Sequence, residues 1–182
     1  TSIFSHFGIF HLAINMLMLF FVGKIFIHYL GSNRLLALYF VGGIFGGLLE
    51  IIAHATIPSV ASQAQLAVGA SGSIMAIFIG IAFYKPNLPV SLFGVINIKL
   101  LYIGIIYLAI DILSLGLNDG TAHFAHLGGA IAGIIASQNP NSPSNLIYRA
   151  EKLILKINYY FGNLKSPKLK YSKRSYKKQR LS

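Results

Sequence analysis

Four stretches of this chain contain no Asp, Glu, Lys or Arg: Thr1 to Gly23, Leu35 to Leu49, Ile51 to Tyr84 and Gly120 to Tyr148. A helix needs about 20 mostly apolar residues to cross the hydrocarbon of a bilayer, so several of these stretches are long enough to span one. Soluble domains carry roughly a quarter charged residues. Here 10% of the residues are charged and 55% are apolar or aromatic. The fold class that follows is all-α, a polytopic bundle of transmembrane helices. The sequence holds no cysteine, which excludes a disulfide framework, a thiolate nucleophile and a Cys-ligated zinc site, and leaves an oxygen or nitrogen atom as the nucleophile of any covalent chemistry. Thr1 is not a start methionine and no basic segment precedes the first apolar run, so the chain is expected to be a fragment.

The net charge of +11 resembles that of a nucleic-acid binder until the basic residues are located. Eleven of the 15 Lys and Arg lie between Arg149 and Arg180, with Glu151 as the one acid among them. This excess belongs to residues 139–182, read as a basic cytoplasmic tail facing anionic lipid, since cytoplasmic flanks of membrane helices are enriched in Lys and Arg. No nucleic-acid partner is expected. Within this tail Leu146 to Phe161 has the composition of a short amphipathic helix, and truncation after Ser144 is expected to leave any chemistry intact.

Apolar length and breakers predict five helices, about Phe7 to Tyr29, Arg34 to Ile57, Ser71 to Tyr84, Lys99 to Leu117 and Ala122 to Gln138. Turn compositions separate them: Gly31-Ser32-Asn33, Pro58 to Gly69, Pro86 to Asn97 and Asn118-Asp119-Gly120. If these helices alternate across the membrane, Lys24, Arg34, Lys85, Lys99 and the tail share one side and the other side receives no basic residue. That asymmetry puts the tail in the cytoplasm, the pattern of a multi-pass protein of a bacterial inner membrane, with an organelle membrane as the alternative. The third helix is short. Ser71 to Tyr84 rises about 21 Å, less than a hydrocarbon core of about 30 Å, so Ser71 is expected below the outer surface, beside a buried wet pocket.

Polar side chains are costly in hydrocarbon and are therefore functional suspects. His11, Asn15, Ser71, His123 and His126 fall near the outward ends of their helices. Ser71, within Gly69-Ala70-Ser71-Gly72, taken alone reads as a helix cap. His123 and His126 taken alone read as interhelical hydrogen-bonding groups. Gly129 and Gly133 form a Gly-x-x-x-Gly stripe that lets this helix press against the serine helix. His11 and Asn15 lie four residues apart on one helix face. Taken jointly, these groups supply a nucleophile, a base and oxyanion donors. No His-Glu-x-x-His is present, and Glu50 and Asp111 are not expected to complete a zinc site. With no acid expected beside the histidines, serine and base would form a dyad. Glu50 and Asp111 are read as structural hydrogen-bonding groups. A transporter or channel reading lacks the internal repeat it would need.

Three motifs in this order, His6-x4-His11-x3-Asn15, Gly69-Ala70-Ser71-Gly72 and Ala122-His123-x-x-His126-x-Gly128-Gly129, resemble those of the rhomboid intramembrane serine proteases. The resemblance covers residues 1–138, corresponding to helices two to six of the family's six-helix core, with the first helix and the loop after it missing. It implies an intramembrane serine endopeptidase acting on transmembrane segments of other membrane proteins. Ser71 would be the nucleophile and His126 the general base. His11, Asn15 and the backbone around Ala70 would stabilise the oxyanion, Gly69 and Gly72 would frame the serine, and Gly129 and Gly133 would make the helix contact. No metal or cofactor is implied. The alternative is a catalytically silent rhomboid-like protein that binds transmembrane helices. Two positions depart from the family pattern: Ile27 stands where a Glu is frequent, and Met75 where an aromatic ring often stacks on the catalytic histidine. Sulfur can also contact an imidazole favourably.

Overall fold

The computed structural model describes residues 9–61, 70–92, 95–115 and 121–161. The first helix, α1 (Ile9–Leu30), stops at Gly31. Gly31 takes a φ of 89°, a conformation that costs a residue without a Cβ nothing. The next helix, α2 (Ser32–Thr56), begins at once, so the expected three-residue turn shrinks to one glycine. Ile57 ends α2, and Pro58, with no N–H to leave unpaired, opens the single turn α3 (Pro58–Ala61). Helix α4 (Ser71–Tyr84) runs over the residues its composition predicts, and Gly72 to Ala82 are all buried. The connection after it is more ordered than a turn. Strands β1 (Pro89–Leu92) and β2 (Ile96–Lys99) pair antiparallel with Pro89 opposite Lys99 and lead directly into α5 (Leu100–Leu113). Two further helices follow, α6 (His123–Ser137) and α7 (Leu146–Phe161).

Helix α4 is the axis of the bundle, with α1, α2, α5 and α6 packed around it. The core is built by residues such as Phe26, Leu38, Ile77, Ile79 and Ile81, all essentially inaccessible. The exterior is equally apolar: Phe21, Ile44, Ile51, Ile106 and Ile110 are each more than half exposed. Meanwhile Asn15, Glu50, Asp111, His123 and His126 are buried. An apolar exterior around a partly polar interior suits hydrocarbon rather than water. Helices α1 and α2 are by length and composition able to cross a membrane, and α4, α5 and α6 are shorter apolar helices.

Lipid chains are as apolar as leucine, so burial in a membrane gives little driving force and close backbone packing must supply it. A Cβ added at Gly129 would overlap the carbonyl oxygen of Gly72, and one at Gly133 the carbonyl oxygen of Ala76. On the other side of α6, a Cβ at Gly46 would lie 2.6 Å from the Ala125 oxygen. Helices α2, α4 and α6 therefore meet backbone to backbone.

Helix α7 is docked against α2, which corrects the expectation of a wholly solvated segment after residue 138. Arg34 on α2 donates to Glu151 at 2.8 Å and to Asn141 at 2.9 Å. Ile147 is 1% exposed. Asn145 bridges the two helix ends. Its amide donates to the carbonyls of Ile135, Ala136 and Gln138 at the end of α6, while its oxygen accepts the Ile147 N–H that opens α7. The acid among eleven basic residues is thus the partner of a distant arginine, a pairing that composition cannot reveal.

Candidate active site

Ala70, not Ser71, is the N-cap of α4, and no side chain among the described residues caps this end. The first helical bond runs from Ile74 N–H to the Ala70 carbonyl. The Ser71 hydroxyl is therefore not the helix cap that it resembles in isolation, and the N–H groups of Ser71, Gly72 and Ser73 have no partner within the helix.

Ser71 borders a narrow cavity of about 50 Å³ whose walls also include Asn15 of α1, Met75 of α4, Tyr107 of α5 and His126 of α6. Water occupies about 30 Å³ per molecule in the liquid, so the cavity has room for water. Asn15 is 6% exposed, and its Nδ2 is buried without a hydrogen-bond partner among the described residues. An unpaired buried amide donor costs about 1–3 kcal/mol, a cost removed by any oxygen that arrives to accept from it.

Two short turns of sequence place the histidines. In α6, His123 and His126 are three residues apart and project to the same side, toward α5. There both meet Asp111. His123 Nδ1 lies 2.6 Å from Asp111 Oδ1, and His126 Nδ1 lies 2.9 Å from Oδ2 and 3.1 Å from Oδ1. All three residues are buried. This corrects the expectation that no acid stands beside the histidines. The reason it was not visible is rotational: α5 is apolar nearly all round, so its sequence does not say which face turns inward, and only Leu100, Gly104 and Asp111 are fully buried on it. An ionised carboxylate can only accept, so with Asp111 ionised both imidazoles would donate from Nδ1. The ring nitrogen of His126 left over is Nε2.

The same three residues place a donor atom each within 4.8 Å of one another, which also corrects the expectation that Asp111 could not join a metal-binding set. The spacing favours proton sharing. Ligands held at about 2.0–2.1 Å around a tetrahedral ion stand roughly 3.3 Å apart, whereas His123 and Asp111 are 2.6 Å apart and His126 and Asp111 2.9 Å.

Glu50, on α2, caps α6 from outside. Ala122 is the N-cap of α6 and brings no side-chain bond. Instead Glu50 Oε2 accepts the N–H of Ala125 at 3.0 Å, and its other oxygen lies 3.4 Å from His54 Nδ1. A buried carboxylate is favourable at the positive end of a helix. It fixes where the helix carrying both histidines begins. Glu50 is thus a structural hydrogen-bonding group, as expected, with a partner that the sequence does not reveal; nor does the sequence single out Tyr107. With Met75 at the position four residues after Ser71, the aromatic ring near His126 comes from α5: the Tyr107 ring centroid is 6.5 Å from that of His126, inclined at 34°.

His11 lies on α1, but its side chain is outside the described residues, as is all of Gly69. His123 is not part of the cavity wall; it meets Asp111 and stands edge-on to the His126 ring, centroids 6.3 Å apart.

The Rhomboid domain family model matches residues 1–138 of this chain. Among curated proteins, RHOMBOID-like protein 12, mitochondrial, of Arabidopsis thaliana is 33% identical over 147 residues, covering 75% of this chain and 44% of the relative. Presenilin-associated rhomboid-like protein A, mitochondrial, of Danio rerio is 31% identical over 142 residues, covering 73% of this chain and 34% of the relative. The Arabidopsis thaliana protein named Inactive RHOMBOID-like protein 8 is 41% identical over 64 residues, 35% of this chain and 18% of its own length. The chain thus spans less than half the length of these relatives. No solved structure matches it.

Proposed function

Because the chain belongs to the rhomboid family, we propose that it is an intramembrane serine endopeptidase, with Ser71 as nucleophile and His126 as general base. The observation that carries this reading is the cavity shared by Ser71, His126 and the unpaired amide of Asn15. Nucleophile, base and an unsatisfied donor converge there in a protein whose exterior is lipid-facing.

In the reaction, Nε2 of His126 takes the proton of the Ser71 hydroxyl as its oxygen attacks a peptide carbonyl of an unwound transmembrane segment. The carbonyl oxygen gains charge and is held by the Asn15 amide, by His11 and by the backbone N–H groups around Ala70 and Ser71. His126 then returns the proton to the departing amine, leaving the acyl group on Ser71. A water molecule, deprotonated by the same imidazole, hydrolyses that ester. The substrates are membrane proteins. The site faces the side opposite Lys24, Arg34, Lys85 and Lys99, with these residues and the basic C-terminal segment toward the cytoplasm and its anionic lipid.

Ser71→Ala tests the reading in liposomes with a transmembrane reporter substrate. Loss of cleavage and of fluorophosphonate labelling, with thermal unfolding unchanged, is the expected result. Cleavage retained in Ser71→Ala, or a wild-type chain that folds and neither cleaves nor labels, would favour a silent helix-binding relative instead.

A further inference from the structure

A serine–histidine pair works only if the imidazole presents a lone pair to the hydroxyl. Neutral imidazole carries its single proton on either nitrogen, and the ring nitrogen that faces the serine must be the bare one. Something has to hold the proton on the far side. The contacts of Asp111 are suited to that task, and they involve more than one element of the fold.

Asp111 is the one charged residue of α5 and one of only three buried residues on it. A charge inside hydrocarbon costs several kcal/mol, and replacing a buried ionic group by apolar residues is often neutral or stabilising. Stability alone therefore gives little reason for an acid at this position. Its oxygens contact His126 at 2.9 and 3.1 Å, so the Nδ1–H points between them, which aligns the ring plane with the carboxylate. His123, at 2.6 Å, occupies one of the same oxygens and keeps the carboxylate from rotating. Four residues earlier on the same face of α5, Tyr107 borders His126 from within the cavity. One face of one helix thus addresses the base twice.

We propose that Asp111 is the positioning residue for His126: by accepting its Nδ1–H, the carboxylate keeps Nε2 unprotonated and aimed at the cavity that holds Ser71. This rests on the serine-protease reading above. When Ser71 attacks, its proton moves to Nε2, His126 becomes an imidazolium with both nitrogens protonated, and Asp111 stays ionised as its hydrogen-bonded counter-ion. The proton returns to the leaving amine, so His126 is neutral again and Asp111 keeps the charge it began with. His123 supports the carboxylate and takes no part in proton transfer.

The first measurement needs no substitution. In the full chain reconstituted with ¹⁵N-labelled histidine, the nitrogen shifts of His126, assigned by their loss in His126→Ala, should show a protonated Nδ1 and a bare Nε2. A protonated Nε2 with a bare Nδ1 would overturn the proposal. So would a stoichiometric metal ion in the purified wild type that disappears in His123→Ala, since a metal-bound Nδ1 carries no proton.

The second measurement compares variants. Asp111→Asn can offer His126 an N–H instead of an acceptor, so the tautomer should invert and kcat should fall on the order of 10³-fold with KM within about threefold. Asp111→Glu, which restores a carboxylate, should recover a substantial part of the lost rate, and His123→Ala should stay within about tenfold of wild type. Wild-type cleavage with an equally fast Asp111→Asn sinks the positioning role and leaves the protease reading standing. A folded wild type that neither labels nor cleaves sinks the protease reading and this role together. If Asp111→Asn does not fold, the wild-type nitrogen shifts still decide.

Discussion

Gly129→Ala adds a single methyl group at the point where the two helices of the candidate site touch. On α6, Gly129 sits three residues after His126. On α4, the backbone it faces is that of Gly72, immediately after Ser71. The new Cβ would overlap the Gly72 carbonyl oxygen and lie 2.9 Å from the carbonyl carbon and 3.3 Å from Cα. Ordinary van der Waals contact begins at 3.4 Å. Since the obstacle is backbone in mid-bundle, no rotamer change relieves it, and the helices must separate by about 1 Å or α6 must rotate. Overpacking of this kind costs about 1–3 kcal/mol. A misplacement of about 1 Å between reacting groups costs roughly 10²-fold in rate. Gly129→Ala should therefore show both losses: lower thermal stability in detergent, and fluorophosphonate labelling of Ser71 slowed roughly 10²-fold. Gly47→Ala is the control, because a Cβ at Gly47 meets nothing within 4 Å. It should label and melt like wild type. Wild-type labelling and stability in Gly129→Ala would refute the close approach itself. Lost stability with wild-type labelling would refute the claim that this contact sets the geometry between Ser71 and His126.

Two further outcomes follow from contacts outside the cavity. Glu50→Ala should lower unfolding stability by about 1–3 kcal/mol and slow labelling, because the Ala125 N–H at the start of α6 loses its acceptor; Glu50→Gln, which keeps an acceptor oxygen, should restore most of both. Truncation after Ser144 should destabilise the bundle by about 3 kcal/mol in thermal or denaturant unfolding, since it removes the buried Ile147, the Asn145 bridge and the partner of Arg34. A truncated chain with wild-type stability would show that the α7 contact contributes nothing.

The features legible along the chain were one-dimensional. Charge-free length and breakers are written directly into it, so the helices appear at their places, α4 and α7 over the residues predicted for them. The close approach of α6 to α4 was also legible, because only glycine permits it and Gly129 and Gly133 are four apart. The serine, histidine and asparagine that share the cavity could be chosen because polar groups stand out in an apolar chain.

The tertiary structure alone decided what each helix turns toward its neighbours. In a soluble bundle the apolar stripe of a helix marks its inner face, and its period can be read from the sequence. A helix bathed in lipid is apolar on both faces, so that signal vanishes, and α5 is the clearest case. Nothing in Leu100–Leu113 says that Asp111 meets His123 and His126, or that Tyr107 borders the same ring, until packing sets the rotation of the helix. Glu50 capping α6 across 75 positions and Arg34 reaching Glu151 across 117 have the same origin. Each pairing depends on which helices become neighbours and how each is rotated about its axis, and apolar residues on every face leave both to close backbone packing.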